Sequence, residues 1–313
     1  MNERLREFSA RLAAPAIVAP MFLVSGPDLV VESCKAGLVG TFPALNQRTS
    51  EGFEEWLDAI EARLAPEDAP FGVNLIVHRS NPRLEPDLAR VVAHKVPLVI
   101  TSLGAVSDLV AAVHAYGGLV FHDVISRRHA EKAAEAGVDG IIAVSAGAGG
   151  HAGQMSPFAL VSEIREFFDG AVVLSGALTH GRHIAAAQMM GADFAYFGSH
   201  FIAAAESMAP DEQKAMMIAA SAKDITLTDK VTGVSANFLA PSLAQATLPD
   251  THGGMSLSEE ARAWKTIWSA GHGVGATRAV RPARAIAEEL VAQYHAASAE
   301  FCTARHESRN PPL

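Results

Sequence analysis

The chain has 313 residues, of which 49% are hydrophobic and 19% charged, so it can form a buried core and does not belong to the disordered class. Its formal net charge is −9 and its Lys and Arg residues do not cluster, which argues against nucleic acid as a partner. Cys34 and Cys302 are far apart in sequence, so we expect neither a disulfide framework nor a metal site. Pro15 and Pro20 interrupt the first apolar stretch, so we expect no signal peptide or membrane span, and a cytoplasmic protein.

Eight short apolar runs predict eight β-strands. Between them the sequence has helical periodicity, as at Val106, Leu109, Val110 and Val113, which are spaced i, i+3, i+4, i+7. Apolar strands that alternate with helices indicate a parallel α/β sheet, and eight such units predict a closed (β/α)8 TIM barrel. The predicted strands are residues 17–21, 38–42, 71–77, 98–102, 119–124, 140–145, 171–175 and 194–198.

A weak internal repeat supports the barrel. Gly137-Val138-Asp139 and Gly191-Ala192-Asp193 each follow a predicted helix and precede a predicted strand. The glycines are well placed to cap the helix C-terminus, and each aspartate would begin the next strand from the lower face of the barrel. Chance recurrence of a common loop is the alternative explanation.

The regular alternation ends after Gly198. Residues 224–254 are polar and too many for an ordinary connection, so we predict a lid or small subdomain there. The barrel domain would comprise residues 1–223 and 255–300, with C-terminal helices at 257–269 and 278–297 and a tail at 301–313.

A glycine-rich loop with one histidine follows the sixth predicted strand. It reads Gly-Ala-Gly-Gly-His-Ala-Gly over residues 147–153, and a helix start is predicted at Ser156-Pro157. Residues without a Cβ allow close approach to a flat ligand, and His151 is the titratable group at this position. Because the carboxyl ends of barrel strands carry the active site, His151 is a candidate catalytic residue; a structural histidine is the alternative.

Small residues also follow the seventh and eighth predicted strands. Ser175-Gly176-Ala177 and Gly198-Ser199 have free backbone N–H groups, and a helix is predicted near Gly181. Barrels commonly bind phosphate at these two loops, so the sequence predicts an anion site that needs no Lys or Arg. Tight turns without a ligand are the alternative.

The glycine-rich loop also satisfies the dinucleotide-binding pattern over residues 147–152. That pattern requires an acidic residue at the end of the next strand, about twenty residues further on. Asp169 precedes the next predicted strand, so this interpretation is rejected.

These motifs resemble the nitronate monooxygenase family, formerly called 2-nitropropane dioxygenases, and the related FMN-dependent enoyl-ACP reductases of type II. The resemblance covers residues 16–275 and is carried most specifically by the glycine–histidine loop. It implies a TIM barrel that binds FMN noncovalently. The other matching segments are Ala19-Pro20-Met21, Phe71-Gly72-Val73-Asn74-Leu75, Ser175-Gly176-Ala177, Phe197-Gly198-Ser199 and residues 267–271.

The resemblance also implies residue roles. His151 would face the substrate, either as the base that removes an α-proton or as a hydrogen-bond donor to a nitronate. The residues it assigns to the cofactor are Pro20, Met21, Asn74 and Gly150 near the flavin, and Ser175, Gly176, Ala177, Gly198 and Ser199 at its phosphate. Asp123 departs from the family, because it lies where relatives often offer Lys or Gln toward the flavin. Ser-Gly-Ala replaces the usual two glycines, and residues 224–254 do not resemble the family segment.

The resemblance therefore implies FMN-dependent oxidation of alkyl nitronates by O2 to a carbonyl compound and nitrite, without a metal or NAD(P)H. The alternative keeps the flavin but makes the protein an NAD(P)H-dependent reductase of an enoyl thioester or a quinone. A third hypothesis is a barrel that binds a phosphorylated metabolite without redox chemistry. The sequence does not decide between a monomer and a homodimer.

Overall fold

The structure is a computed structural model that describes residues 3–78, 80–104, 107–231, 233–246 and 262–309. Its strands are β1 (Ala16–Val18), β2 (Val39–Pro43), β3 (Phe71–Ile76), β4 (Leu98–Ser102), β5 (Leu119–Val124), β6 (Gly140–Val144), β7 (Gly150–His151), β8 (Ala171–Ser175), β9 (Phe194–Phe197), β10 (Ile225–Thr228) and β11 (Ala236–Leu239). The eight strands β1–β6, β8 and β9 form a closed barrel, which confirms the predicted fold. The barrel closes where β1 pairs in parallel with β9, with Ile17 opposite Tyr196.

A helix follows each of the first seven barrel strands and covers the outside of the sheet. The helices are α1 (Glu3–Ala10), α2 (Pro27–Lys35), α3 (Ser50–Glu61), α4 (Leu84–Ala93), α5 (Ser107–His114), α6 (Arg127–Glu135), α7 (Pro157–Arg165), α8 (Gly181–Met189), α9 (Ser199–Ile202), α10 (Asp211–Ala219), α11 (Ala240–Gln245) and α12 (Ala283–Arg309). Helix α12 packs against α8 and α2, so it covers the barrel beside β9 and β1. Buried side chains from the outer face of the strands and from these helices form one large core.

Helix α1, which the sequence analysis did not predict, closes the amino-terminal end of the barrel. Its Leu5 and Phe8 are buried in the same cluster as the inward-facing strand residues. The rings of Phe8 and Phe194 meet edge to face with centroids 6.4 Å apart. This end of the barrel is therefore filled, and a ligand has to enter from the carboxyl ends of the strands.

The repeated Gly-x-Asp segments have a common structural role. Gly137 and Gly191 both have positive φ angles, 84° and 99°, just after α6 and α8. Asp139 Oδ2 accepts a hydrogen bond from the backbone N–H of Val120 at 2.9 Å. Asp193 Oδ2 accepts one from the N–H of Val172 at 2.8 Å. Each carboxylate thus ties the loop before one strand to the start of the preceding strand.

Replacing Asp139 by alanine is expected to lower the free energy of unfolding by about 1–3 kcal/mol, because the buried Val120 N–H would lose its acceptor. His114, whose Nε2 lies 2.7 Å from Asp139 Oδ2, would lose its partner as well. The midpoint of urea unfolding measures the effect. Asp169→Ala, at an exposed position, is the matched control. Equal midpoints for the two variants would contradict this role of Asp139.

A small antiparallel sheet lies outside the barrel, in the order β10-β11-β7. Two of its strands lie in the segment predicted to form a lid or subdomain, of which residues 232 and 247–254 are outside the described residues. The third strand, β7, is part of the glycine–histidine loop, with His151 opposite Ala236 and Gly150 opposite Asn237. That this segment moves as a lid stays a prediction.

The C-terminal region differs from its predicted form. Of the helix predicted at 257–269, residues 257–261 are outside the described residues, 262–263 are helical and 264–266 form a turn. Ser269 forms an antiparallel bridge with Phe238 of β11, so the end of this prediction is wrong. The last helix begins at Ala283 and runs through Arg309, into the predicted tail. Across the described segments, no helix combines the length and the apolar character that crossing a membrane requires.

Candidate functional site

A cavity of about 1360 Å³ opens at the carboxyl ends of the barrel strands. It brings together every site residue predicted from the sequence, although those residues come from separate strand ends and loops. The predicted residues that line it are Pro20, Met21, Asn74, Asp123, Gly150, His151, Ser175, Gly176, Ala177, Gly198 and Ser199. It is larger than the range of about 300–1,000 Å³ typical of ligand pockets, so it has room for more than one small ligand.

The glycine-rich loop packs directly against the chain at residues 270–272. A Cβ on Gly149 would lie 2.8 Å from the Gly271 nitrogen, and a Cβ on Gly271 would lie 2.4 Å from the Gly147 oxygen. The His272 N–H donates to the Gly147 carbonyl at 2.9 Å. Gly149 therefore allows two backbone segments to touch, whereas the sequence analysis attributed the loop's glycines to close approach of a ligand. Gly150, with φ of 70°, lines the cavity itself.

His151 lies at the edge of the cavity on β7. Its backbone pairs with Ala236, and its ring meets the Trp264 ring edge to face at 5.7 Å. Nearby, the Asn237 side-chain amide donates to the Ala148 carbonyl at 2.6 Å, which ties β11 to the glycine-rich loop. The imidazole is therefore positioned by the small sheet and by an aromatic neighbour, and it contributes a proton donor or acceptor to the cavity.

The turn after β8 has two consecutive residues with positive φ. Gly176 has φ of 143° and Ala177 has φ of 56°. The left-handed conformation costs a residue with a Cβ about 1–2 kcal/mol, and strain of this kind is often found at ligand sites. A Cβ on Gly176 would lie 2.3 Å from Ser145 Oγ, so only glycine fits there. The predicted helix α8 begins at Gly181, close behind this turn.

The matching segment after β9 is hydrogen-bonded to residues 270–272, which pack against the glycine-rich loop. Ser199 Oγ accepts a hydrogen bond from the Gly271 N–H at 2.7 Å. A Cβ on Gly198 would meet only ordinary contacts, with the nearest atom, Ala19 Cβ, at 3.8 Å. The loops after β8 and β9 thus share one face of the cavity with the glycine-rich loop, as the sequence predicted for an anion site.

Asp123 is the only acidic residue among those that line the cavity, counted over the described residues. Its Oδ2 accepts a hydrogen bond from Ser102 Oγ at 2.5 Å, and Ser102 Oγ accepts one from Asn74 Nδ2 at 2.8 Å. Burial raises the pKa of Asp123 to about 6, although the hydrogen bond from Ser102 acts in the opposite direction. The three side chains form a hydrogen-bonded chain across β3, β4 and β5.

The raised pKa of Asp123 predicts a pH-dependent stability of the protein without a bound ligand. The folded state holds the proton of Asp123 more tightly than the unfolded state does. The stabilisation of the folded state by this proton is therefore complete below about pH 4 and is lost as the pH rises through about 6. Asp123→Asn removes the titration and is expected to be more stable than the parent above pH 7, by up to about 3 kcal/mol. Melting temperatures from pH 4 to 8.5 measure this. Parallel curves for the two proteins would contradict it.

Several cavity residues were not predicted. Ser102 and Tyr196 end barrel strands, while Trp264 and Trp268 come from the C-terminal segment. His122 of β5 also lines the cavity, with Nδ1 2.7 Å from Thr101 Oγ1. Burial lowers the pKa of His122 to about 4, so this imidazole is neutral at pH 7. Position at a strand end was the available signal for Ser102 and His122.

Comparison with known proteins identifies the family of this chain. Residues 4–252 match the family described as nitronate monooxygenase. The chain belongs to the nitronate monooxygenase family. It is therefore an oxidoreductase of a flavin-dependent family, as the sequence predicted.

Two curated relatives illustrate the range of the nitronate monooxygenase family. A nitronate monooxygenase from Paraburkholderia phytofirmans is 26% identical, over 89% of this chain and 90% of the relative. The (3aS,4S,5R,7aS)-5-hydroxy-7a-methyl-1-oxo-octahydro-1H-indene-4-carboxyl-CoA dehydrogenase of Rhodococcus jostii is 29% identical over 74% of this chain. The match spans only 64% of that dehydrogenase.

Solved structures share the fold of this family member. A nitroalkane oxidase from Streptomyces ansochromogenes superposes with a TM-score of 0.82 at 22% identity, covering 94% of this chain and 99% of that one. FabK from Thermotoga maritima superposes with a TM-score of 0.80 at 21% identity, covering 97% of this chain and 99% of that one. At these identities the likeness establishes the fold alone.

The cavity has the features that FMN would need in a nitronate monooxygenase. Among the described residues, the backbone N–H groups of Gly176 and Ala177 have no protein acceptor. Two neighbouring donors of this kind in a turn form a concave site for a phosphate. The cavity is lined mainly by apolar atoms, with Asn74 and Asp123 as polar groups, which suits a flat aromatic ring with a polar edge. The residues present therefore fit FMN.

Proposed function

We propose that this protein is an FMN-dependent nitronate monooxygenase, which oxidises an alkyl nitronate with O2 to a carbonyl compound and nitrite. The observation that carries the proposal is that the His151 imidazole and the turn at Gly176 and Ala177 line one cavity in a member of this family. An imidazole beside a cofactor site can act on a proton of the substrate. The partners of the reaction would be a small nitronate and O2.

The cavity residues divide into two groups by their proposed roles. Ser175, Gly176, Ala177, Gly198 and Ser199 would hold the FMN phosphate, mainly through backbone N–H groups. Pro20, Met21, Asn74, Asp123 and Gly150 would contact the flavin ring. When bound, FMN would supply the redox chemistry, while the protein orients the reactants and sets the local electrostatics.

His151 would act on the substrate. Its imidazole would take the α-proton of a nitroalkane, or donate a hydrogen bond to the oxygens of a nitronate. Trp264, in edge contact with the ring, would limit its rotation and exclude water from one side. Both roles require a position beside the cofactor, and the lining of one cavity by His151 and the turn at Gly176 supports this.

The proposal is tested by measuring oxygen uptake and nitrite release with a series of small alkyl nitronates, using protein purified with its flavin. We expect nitrite to appear with oxygen consumption, and the flavin absorbance to bleach when the nitronate is added anaerobically. Flavin-containing protein that consumes no oxygen with any nitronate in the series would refute the proposal.

The shape and charge of the cavity favour one alternative, an NAD(P)H-dependent reductase of an enoyl thioester or a quinone. Arg48 and Lys132 line the cavity and, over the part of the chain described, neither forms an ion pair. Arg83 also lines it but is paired with Asp87. Two unpaired cations in a protein of net charge −9 favour an anionic substrate, and the volume allows a long one.

Anaerobic reduction separates the two functions. Rapid bleaching of the flavin by NADH or NADPH would favour the reductase, whereas a nitronate monooxygenase would be bleached only by the nitronate. A colourless protein that does not take up FMN would contradict both and favour a barrel that binds a phosphorylated metabolite.

A further inference from the structure

One carboxylate oxygen of Asp123, a residue that lines the cavity, has no hydrogen-bond partner among the described residues. Oδ2 accepts the hydrogen bond from Ser102, whereas Oδ1 is buried and makes no hydrogen bond to any residue that the structure describes. The Ser102 hydroxyl has one proton, which it donates to Oδ2, and its oxygen accepts a hydrogen bond from Asn74. Asp123 therefore has one donor on one oxygen and none on the other.

An ionised carboxylate is poorly stabilised in this position. A buried carboxylate usually requires two or three donors or a cation nearby, and a single neutral hydroxyl does not replace its hydration. Burial accordingly raises the pKa of Asp123. Burial and the charge of Asp123 both raise the pKa of Tyr196, so its phenol is neutral too. The titratable or charged side chains that line the same cavity are Arg48, Arg83, His122, His129, Lys132, His151 and Tyr196.

A protonated Asp123 would change the hydrogen bonding of the cavity. Because Oδ2 already accepts from Ser102, the proton would lie on Oδ1, the oxygen without a partner. Oδ1 would then be a buried donor in need of an acceptor. The flavin ring offers such acceptors, namely two carbonyl oxygens and unprotonated ring nitrogens. A Lys or Gln at this position would donate a hydrogen bond to them without first taking up a proton.

We propose that Asp123 binds the flavin ring as a neutral carboxylic acid that donates a hydrogen bond from Oδ1, so that cofactor binding takes up a proton. This inference rests on the proposed FMN site and adds to it a pH dependence that belongs to this chain. Binding stabilises the protonated form, and deprotonation of the free protein opposes binding. Affinity for the flavin therefore falls as the pH rises above the pKa of Asp123.

The test is the pH dependence of flavin affinity in the full-length protein stripped of its cofactor. Dissociation constants are measured by quenching of flavin fluorescence from pH 5.5 to 8.5, with FMN and with riboflavin. Riboflavin is needed because the FMN phosphate itself titrates near pH 6. For the parent protein and riboflavin we expect the dissociation constant to rise about tenfold per pH unit above pH 6.

Asp123→Asn keeps a donor at this position but removes the titration. We expect its affinity for riboflavin to be independent of pH and to exceed that of the parent at pH 8. Asp58→Asn, at an exposed position outside the cavity, is the matched control and should follow the parent. Calorimetry in buffers of different ionisation enthalpy should show uptake of close to one proton per riboflavin by the parent at pH 7.5, and none by Asp123→Asn.

Three outcomes would overturn the inference. Equal pH dependence in the parent and Asp123→Asn, or no proton uptake by the parent, would mean that Asp123 does not bind flavin as an acid. The proposed function would survive either result, because nitrite release with a nitronate is measured separately. Absence of flavin binding at every pH would overturn both.

Discussion

Replacing His151 by asparagine is expected to reduce turnover of nitroalkanes by about 10²–10⁴-fold while FMN remains bound, since general acid–base catalysis typically contributes that much. Asparagine retains hydrogen-bonding capacity but does not accept a proton at neutral pH. Steady-state oxygen uptake measures the loss, and the flavin absorbance per protein measures cofactor retention. His94→Asn removes an imidazole at the end of α4, outside the cavity, and should leave both unchanged.

The choice of substrate separates the two roles proposed for His151. A nitroalkane must lose its α-proton before oxidation, whereas a preformed nitronate has already lost it. If His151 is the base, His151→Asn should be slow with nitroalkanes and nearly normal with nitronates. If His151 only holds the nitronate oxygens, both substrates should be affected. Parent-like rates with both substrates would exclude a catalytic role.

Replacing Gly149 by alanine is expected to have the second largest effect. The added Cβ would lie 2.8 Å from the Gly271 nitrogen and 2.9 Å from the Ala270 carbonyl carbon, so two backbone segments must separate. Overpacking of this kind lowers the free energy of unfolding by about 1–3 kcal/mol. Because His151 is two residues away, its displacement should also reduce kcat, by up to about 10²-fold for a shift near 1 Å.

Thermal unfolding and nitronate kinetics measure the two effects of Gly149→Ala. Gly275→Ala is the matched control, because its Cβ would meet its nearest neighbour, Ser221 Cα, at 3.6 Å. It should change neither quantity substantially. If Gly149→Ala kept the stability and the kcat of the parent, the close contact between the glycine-rich loop and residues 270–272 would not matter for function.

The barrel was predictable because its strands are buried on both faces. Segments such as Leu98–Ser102 and Ala171–Ser175 are continuous apolar runs, and their predicted bounds are those observed. The turn at Gly176 follows β8 and the loop at His151 follows β6, so their place at one end of the barrel followed from the fold. Because all strands of the barrel run in the same direction, residues that directly follow a strand lie at the same end and can line one cavity.

Features that depend on contacts distant in sequence were not predictable. Strand β7 is two residues long and exists only because β11, more than eighty residues later, pairs with it. The bridge between Phe238 and Ser269 likewise replaces the end of a predicted helix. The periodicity of the local sequence does not predict such pairing, because each of the two paired segments is held in its conformation by the other. Helix α7 begins at Pro157 with Ser156 as its N-cap, as predicted, but the Ser156 side chain makes no capping hydrogen bond.

The pairing of His151 with Ala236 matters for any attempt to alter substrate range by loop exchange. Val234, between β10 and β11, lines the cavity, so the segment around it is an obvious one to transplant from a relative. Yet His151 belongs to the same small sheet, so a foreign segment would bring a different backbone partner for His151. Chimeras made in this way would alter selectivity and turnover together, and redesign that preserves Ala236 and Asn237 would separate the two.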